Sequence, residues 1–183
     1  MHEFADRPKA VVLITGISAA GKSTVAQALA ERLRRSVHVR GDLFRRMIVN
    51  GGVGMTPELE DEALRQLRLR YKLAASTADA YFEAGFTAVV QDVVIGPELK
   101  TFVSFVRSRP LIVVVLAPDA ATVAGRDLGR SKTGYRDWTV EQLDQGMREG
   151  TPRIGLWLDT SGQTPAETVQ EILARAWDEG VVD

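Results

Sequence analysis

Apolar residues follow two rhythms along this chain. Short, mostly apolar runs recur at Val11–Ile14, Ser36–Val39, Phe86–Val90, Leu111–Leu116 and Ile154–Leu158. Between them, apolar positions step by three or four. The first rhythm predicts buried strands and the second amphipathic helices. The helix after the first strand runs from Lys22 to about Arg35, with Val25, Ala26, Leu29, Ala30 and Leu33 on one face. Asp42 to about Val49 reads as a second helix, followed by the loop Asn50–Gly54. Thr56-Pro57 opens a long third helix with Glu58, Glu60, Asp61 and Glu62 at its positive end. Its apolar stripe is Leu64, Leu67, Tyr71, Ala74, Ala78 and Phe82, and Gly85 ends it. Arg65, Arg68, Arg70 and Lys72 form its predicted solvated side. Further helices are expected over Pro97–Arg107, after Asp119, over Thr139–Glu149, and from the capping box Thr164-Pro165-Ala166-Glu167 to about Glu179.

Strands alternating with helices predict an α/β fold: a parallel sheet covered by helices on both faces. In such sheets ligands bind beyond the C-terminal strand ends. The five strand ends are therefore where chemistry is sought. The 183 residues form one expected domain, without internal repeat, low-complexity tract or linker.

The first strand end carries the sharpest signal. Gly16-Ile17-Ser18-Ala19-Ala20-Gly21-Lys22-Ser23 is G-x-x-x-x-G-K-[ST], with a strand before it and a helix after it. The glycines let the backbone turn and approach phosphates closely. The amides over Gly16, Ser18, Ala19, Ala20, Gly21 and Thr24 are expected to cradle phosphate oxygens at the helix N-terminus. Lys22 is placed for the β- and γ-phosphates, and Ser23 for Mg²⁺. The expected ligands are thus a nucleoside triphosphate and Mg²⁺.

Composition narrows the partners. The formal net charge is −1, which disfavours a nucleic-acid-wrapping surface. Cysteine is absent, so disulfides and thiolate metal sites are impossible. No apolar run approaches a membrane span. The mixed lead-in at residues 1–9 has no signal-peptide core, and cytoplasm is the default expectation.

Other strand ends supply candidate chemistry. Asp42 follows the second strand, either as a base for an attacking hydroxyl or as a helix cap. Asp92 follows the third, where a carboxylate can hold the magnesium shell through water. Which of the two is base and which is metal partner stays open on sequence alone. Arg126, Arg130, Lys132 and Arg136 form a basic cluster after the fourth strand. Arg126 and Arg130 share a helix face, and Gly129 and Gly134 suit a closing lid over about 126–138. Asp159–Gln163 offers backbone to edge the adenine. His38 and the three tryptophans read as packing residues.

Taken together, Gly16–Thr24, Gly41-Asp42, Val90–Val93 and the Arg126/Arg130 segment resemble the chloramphenicol phosphotransferase-like and zeta toxin-like group (AAA_33-type) of P-loop kinases, related to gluconate and shikimate kinases. The resemblance implies a three-layer P-loop NTPase sandwich with five parallel strands in the order 2-3-1-4-5. It implies ATP-Mg as donor and a small-molecule hydroxyl as acceptor. It also implies Asp42 as catalytic base, working with Lys22 and with Arg126 and Arg130 as lid arginines. The sequence departs from that group at Gln91-Asp92, where a pair of acidic residues is frequent. It departs also at Lys132–Tyr135 and across the acceptor region, about 43–85. In that region Arg45, Arg46, Asn50, Glu58 and Tyr71 are candidate polar contacts.

The expected function is an ATP-dependent phosphotransferase acting on a hydroxyl of an antibiotic or metabolite. The alternatives are a nucleotide or sugar-nucleotide kinase of zeta-toxin type and a partner-dependent ATPase. A GTPase is disfavoured, because no N-K-x-D occurs and Asp92-Val93-Val94-Ile95 is not D-x-x-G.

Overall fold

A computed structural model describes residues 5–56, 61–128 and 139–182. Its elements alternate as the apolar rhythm predicts. They are β1 (Val11–Thr15), α1 (Lys22–Arg32), β2 (Ser36–Arg40), α2 (Gly41–Arg46), α3 (Asp61–Glu83), β3 (Thr87–Gln91), α4 (Glu98–Phe105), β4 (Leu111–Leu116), α5 (Ala120–Leu128), α6 (Val140–Gly150), β5 (Leu156–Leu158), α7 (Pro165–Glu179) and β6 (Val181–Val182). Five strands run parallel in the order β2-β3-β1-β4-β5. The short β6 adds an antiparallel pairing with the start of β4. Sequence reasoning missed β6, because two residues after a helix carry no periodicity.

The centre of the sheet is dry. Every residue of β1, β3 and β4 is buried, as strands covered on both faces must be. α1 and α7 pack together over one face, and α3 and α4 pack together over the other. Thr139 and Thr164 cap α6 and α7, each with a reciprocal bond to the residue three on, Gln142 and Glu167. Asp119 caps α5 by accepting from the Thr122 amide at 2.6 Å. α1 stops at Arg32 rather than Arg35, and α2 stops at Arg46 rather than Val49. The predicted opening of α3 at Pro57–Glu60 lies outside the described residues.

One buried carboxylate ties α3 to the turn that leads into β4. Asp79 projects from the buried side of α3 and is 1% exposed. It accepts from the backbone amides of Arg107 (3.1 Å) and Ser108 (2.9 Å), the turn that feeds β4. Burial pushes its carboxyl up, but the hydrogen bonds from Ser108 and Arg107 outweigh this and hold it below its usual value. The ionised form is therefore favoured by folding. Its contribution is complete above the unfolded-state value, about 3.9, and is lost as pH falls through the lower folded value. Asp79→Ala should cost about 2–3 kcal/mol at neutral pH by stranding two buried amides, while Asp79→Asn should cost less. Urea unfolding at neutral pH, repeated below about pH 4 where the gap to wild type should narrow, checks this.

Candidate active site

The site begins where β1 ends. Gly16 (φ 144°) brings the chain so close to β4 that a Cβ there would sit 2.4 Å from the Leu116 carbonyl oxygen. Ala19 takes a left-handed φ of 61°, strained for a residue with a Cβ, inside the loop that has to bend around phosphate. Gly21 precedes α1, whose first residue is Lys22. Lys22 is buried, and its Nζ donates to the Ile17 carbonyl at 2.6 Å, so its ammonium lies folded against the loop. Ser23 and Thr24 are exposed on the first turn of the helix.

The third strand delivers Asp92 beside this loop. Thr15, the last residue of β1, is buried and grips the segment after β3. Its hydroxyl donates to the Val94 carbonyl (2.8 Å) and accepts from the Val94 amide (2.9 Å). Tyr71 of α3 holds the same segment by donating to the Val93 carbonyl at 2.6 Å. Tyr71 is therefore a structural bolt, not the exposed acceptor contact that sequence suggested. It is buried, and its phenol is pushed far above its usual pKa by desolvation.

Asp92 itself is almost fully enclosed. Its Oδ1 accepts from its neighbour's amide, Val93, and from Arg70 Nη2, both at 2.7 Å. Side-chain exposure is 14% for Arg70 and 4% for Asp92. Arg70 is thus the residue that sequence reasoning misplaced. The Arg65–Lys72 run was assigned to solvent, but Arg70 turns inward to the carboxylate. The helical period could have found it, since Arg70 adjoins Tyr71 on the edge of the apolar stripe. Arg65, by contrast, is a surface residue paired with Glu62.

Among the described residues Asp92 Oδ2, which is buried, finds no hydrogen-bond partner. It faces Gly41, where a Cβ would sit 2.0 Å from it. Only glycine lets the β2–α2 corner close over this oxygen. Burial pushes the Asp92 carboxyl up, opposed by Arg70, the Val93 amide and Lys22, and reinforced by Asp42. The strand order β2-β3-β1 puts Asp42, Asp92 and Lys22 just past the ends of three adjacent strands, where Lys22 and Asp42 both act on the Asp92 carboxyl. Asp42 sits in the first turn of α2, 41% exposed and ion-paired with Arg46 at 2.6 Å. The unpartnered Asp92 Oδ2 and the exposed Ser23 hydroxyl are donors of the chemistry that magnesium takes. One or two carboxylates, with phosphates and waters completing the shell, is its ordinary donor set.

On the far side of the loop lies a cavity of about 240 Å³ lined by Ala20, Gly21, Thr24, Arg126, Thr160 and Gln163 among others. Arg126 spans it, donating to the carbonyls of Ala20 (3.4 Å) and Thr160 (3.1 Å). The loop after β5 therefore does edge this cavity. Arg130, Lys132 and Arg136, with Trp138, lie outside the described residues, as does Glu58. Trp157 carries Arg153 over its ring at 4.0 Å and Trp177 donates to Pro8, both packing roles. His38 stays in its strand, its imidazole pushed down first by burial and then by Arg40. Among the described residues no helix is long and apolar enough to cross a membrane.

Comparison with known proteins adds three findings. The profile of the AAA_33 family, described as an AAA domain, matches residues 11–152. An adenylyl-sulfate kinase of Paraburkholderia xenovorans is 38% identical over 93 residues, 49% of this chain and 46% of that protein. The chain spans less than half the length of the curated relatives it matches. Among solved structures, an unliganded sugar kinase from Janibacter sp. HTCC2649 superimposes with TM-score 0.69 at 18% identity, covering 94% of this chain and 96% of that one. A tunicamycin resistance protein of Deinococcus radiodurans gives 0.66 at 17% identity, covering 97% and 99%. At such identities the structural likeness establishes the fold.

Breaking a buried ion pair costs far more than breaking an exposed one. Arg70→Ala should destabilise the fold by about 3 kcal/mol, because it strands a buried carboxylate. Arg65→Ala should change stability by less than about 1 kcal/mol. Gly41→Ala should cost about 1–3 kcal/mol by driving a methyl group into Asp92. Chemical denaturation of the three variants checks the ranking.

Proposed function

The chain belongs to the AAA_33 family, and we propose that it is an ATP-dependent kinase that moves a phosphoryl group to a hydroxyl of a small molecule. The observation that carries this reading is the convergence at three strand ends: the phosphate loop with buried Lys22, the enclosed Asp92, and the accessible Asp42. A pure nucleotide-binding switch needs no second carboxylate beside the loop.

The roles follow from position. The loop amides from Gly16 to Thr24 and the Lys22 ammonium bind and orient the phosphates. To do so Lys22 releases the Ile17 carbonyl, exchanging a neutral acceptor for an anion. Ser23 and Asp92 would hold magnesium, which would supply positive charge against the transferred phosphoryl group. Asp42, exposed enough to reach an incoming hydroxyl, accepts its proton as the oxygen attacks. Proton, phosphoryl group and ADP are thereby accounted for. Arg126 covers the nucleotide side of the loop, and Arg130 remains a proposed partner in that cover. Thr160 and Gln163 wall the nucleobase.

Acceptor class is read from what surrounds Asp42. Leu43, Met47 (70% exposed) and Val49 (89% exposed) are large apolar side chains on and just after α2. An acceptor that offers apolar surface beside its hydroxyl would cover them. The likeness to the tunicamycin resistance protein supports the same choice, an antibiotic or similar amphiphilic metabolite. A second reading, a nucleotide-bearing acceptor, is favoured by the adenylyl-sulfate kinase relative and by exposed Arg45 beside the Asp42–Arg46 pair.

The purified protein should be incubated with Mg-ATP and a panel of hydroxyl-bearing antibiotics, sugars, nucleosides and adenylyl sulfate. Mass spectrometry should find one acceptor carrying a new phosphoryl group. Lys22→Ala should abolish the product. Asp42→Asn should keep nucleotide binding and slow transfer roughly 10²–10⁴-fold. Normal transfer in Asp42→Asn would remove its role as base. ADP formed without any phosphorylated small molecule would move the assignment to the partner-dependent ATPase.

A further inference from the structure

Large apolar side chains exposed among the described residues number seven, and they fall into two groups plus Val181. Leu43, Met47 and Val49 belong to the acceptor side. Leu69, Leu73 and Tyr81 belong to the opposite, outward face of α3. That face has no contact with the chemistry described above.

The outward face has a definite shape. Leu69, Leu73, Ser76, Ala80 and Ala84 follow one another at helical spacing along 23-residue α3. Leu73 and Tyr81 stand up at either end of a shallow groove of about 450 Å³ floored by Ser76, Thr77, Ala80 and Ala84. Small residues between large ones let another helix backbone approach closely, ridge into groove.

Charge identifies the occupant. Lys72 and Glu83 are both exposed and lie eleven residues apart, three helical turns, on the same flank of the groove. Neither forms an ion pair with another described residue. About 16 Å of helix axis separates them. An antiparallel copy of the same helix, related by a two-fold axis level with the midpoint between Thr77 and Ala78, puts Lys72 of each copy against Glu83 of the other. The same axis brings Leu73 within about 1.5 Å of the level of the other copy's Tyr81, and Ser76 within about 1.5 Å of the level of its Ala80. A single operation thus satisfies the apolar ridge, the groove and both charges, as an isologous interface requires.

We propose that the outward face of α3 is a homodimer interface, occupied by α3 of a second copy packed antiparallel. This stands apart from the kinase assignment and is tested without any substrate.

Sedimentation equilibrium of the wild-type chain at high micromolar concentration should give twice the 20.0 kDa chain mass. Lys72→Glu should shift the species to the chain mass, because it sets like charges against each other twice. The double variant Lys72→Glu/Glu83→Lys should restore the doubled mass, which a merely misfolded protein cannot do. The chain has no cysteine, so trapping is unambiguous. Thr77→Cys should form a disulfide-linked dimer under mild oxidation, and Gln170→Cys on α7 should not. A wild-type monomer, a dimer untouched by Lys72→Glu, a charge swap that stays monomeric, or equal cross-linking from both cysteines would each overturn the proposal.

Discussion

The site depends on one constraint: a carboxylate must be kept nearly dry at the end of a buried strand without folding away from the crevice. Four elements meet that demand for Asp92. Thr15 of β1 pins the backbone just past it through two hydrogen bonds to Val94. Tyr71 holds Val93, Arg70 and the Val93 amide share Oδ1, and Gly41 leaves room for Oδ2. Burying a lone carboxylate costs several kcal/mol, which the two bonds to Oδ1 offset while the other contacts fix its position. The result is one hydrogen-bonded oxygen and one buried oxygen without a partner among the described residues, with Lys22 and Asp42 acting on the carboxyl electrostatically.

The same arrangement couples distant parts of the sequence. α3 contributes Arg70 and Tyr71 to Asp92, and Asp79 to the turn before β4. A single helix therefore fixes both the enclosed Asp92 and the strand on which the first glycine of the loop rests. Its outward face is free to meet another molecule while its inward face holds the crevice. The phosphate loop stays compact because Lys22 folds onto Ile17 and Arg126 bridges Ala20 to Thr160.

Much of this was legible from sequence because the signals were local. Val11–Ser23 combines strand, glycine spacing and helix in one stretch, and Leu111–Leu116 is apolar throughout, so both were placed closely. The strand order came through the resemblance of Gly16–Thr24 and its companion motifs to the AAA_33-type kinases, and the sheet agrees. What escaped was non-local. Arg70 looks like any exposed arginine until the fold brings Asp92 within 2.7 Å, twenty-two residues away. Gly41 reads as a helix-start residue until the carboxylate packs on it. Tyr71 falls on an apolar stripe and still invites a functional reading, because its hydroxyl partner cannot be seen in the pattern. β6 is two residues long and exists only because β4 offers an edge.

The claim at the centre of this account is that Asp92 is the metal-side carboxylate of a nucleotide site organised by the loop at Gly16–Thr24. Calorimetric binding of a non-hydrolysable ATP analogue, with and without magnesium, to wild type and to Asp92→Asn tests it most directly. The account predicts equal magnesium-free binding in the two proteins and a magnesium-dependent gain in wild type. That gain should weaken by about 10–100-fold in the variant. The same gain in both proteins would contradict it.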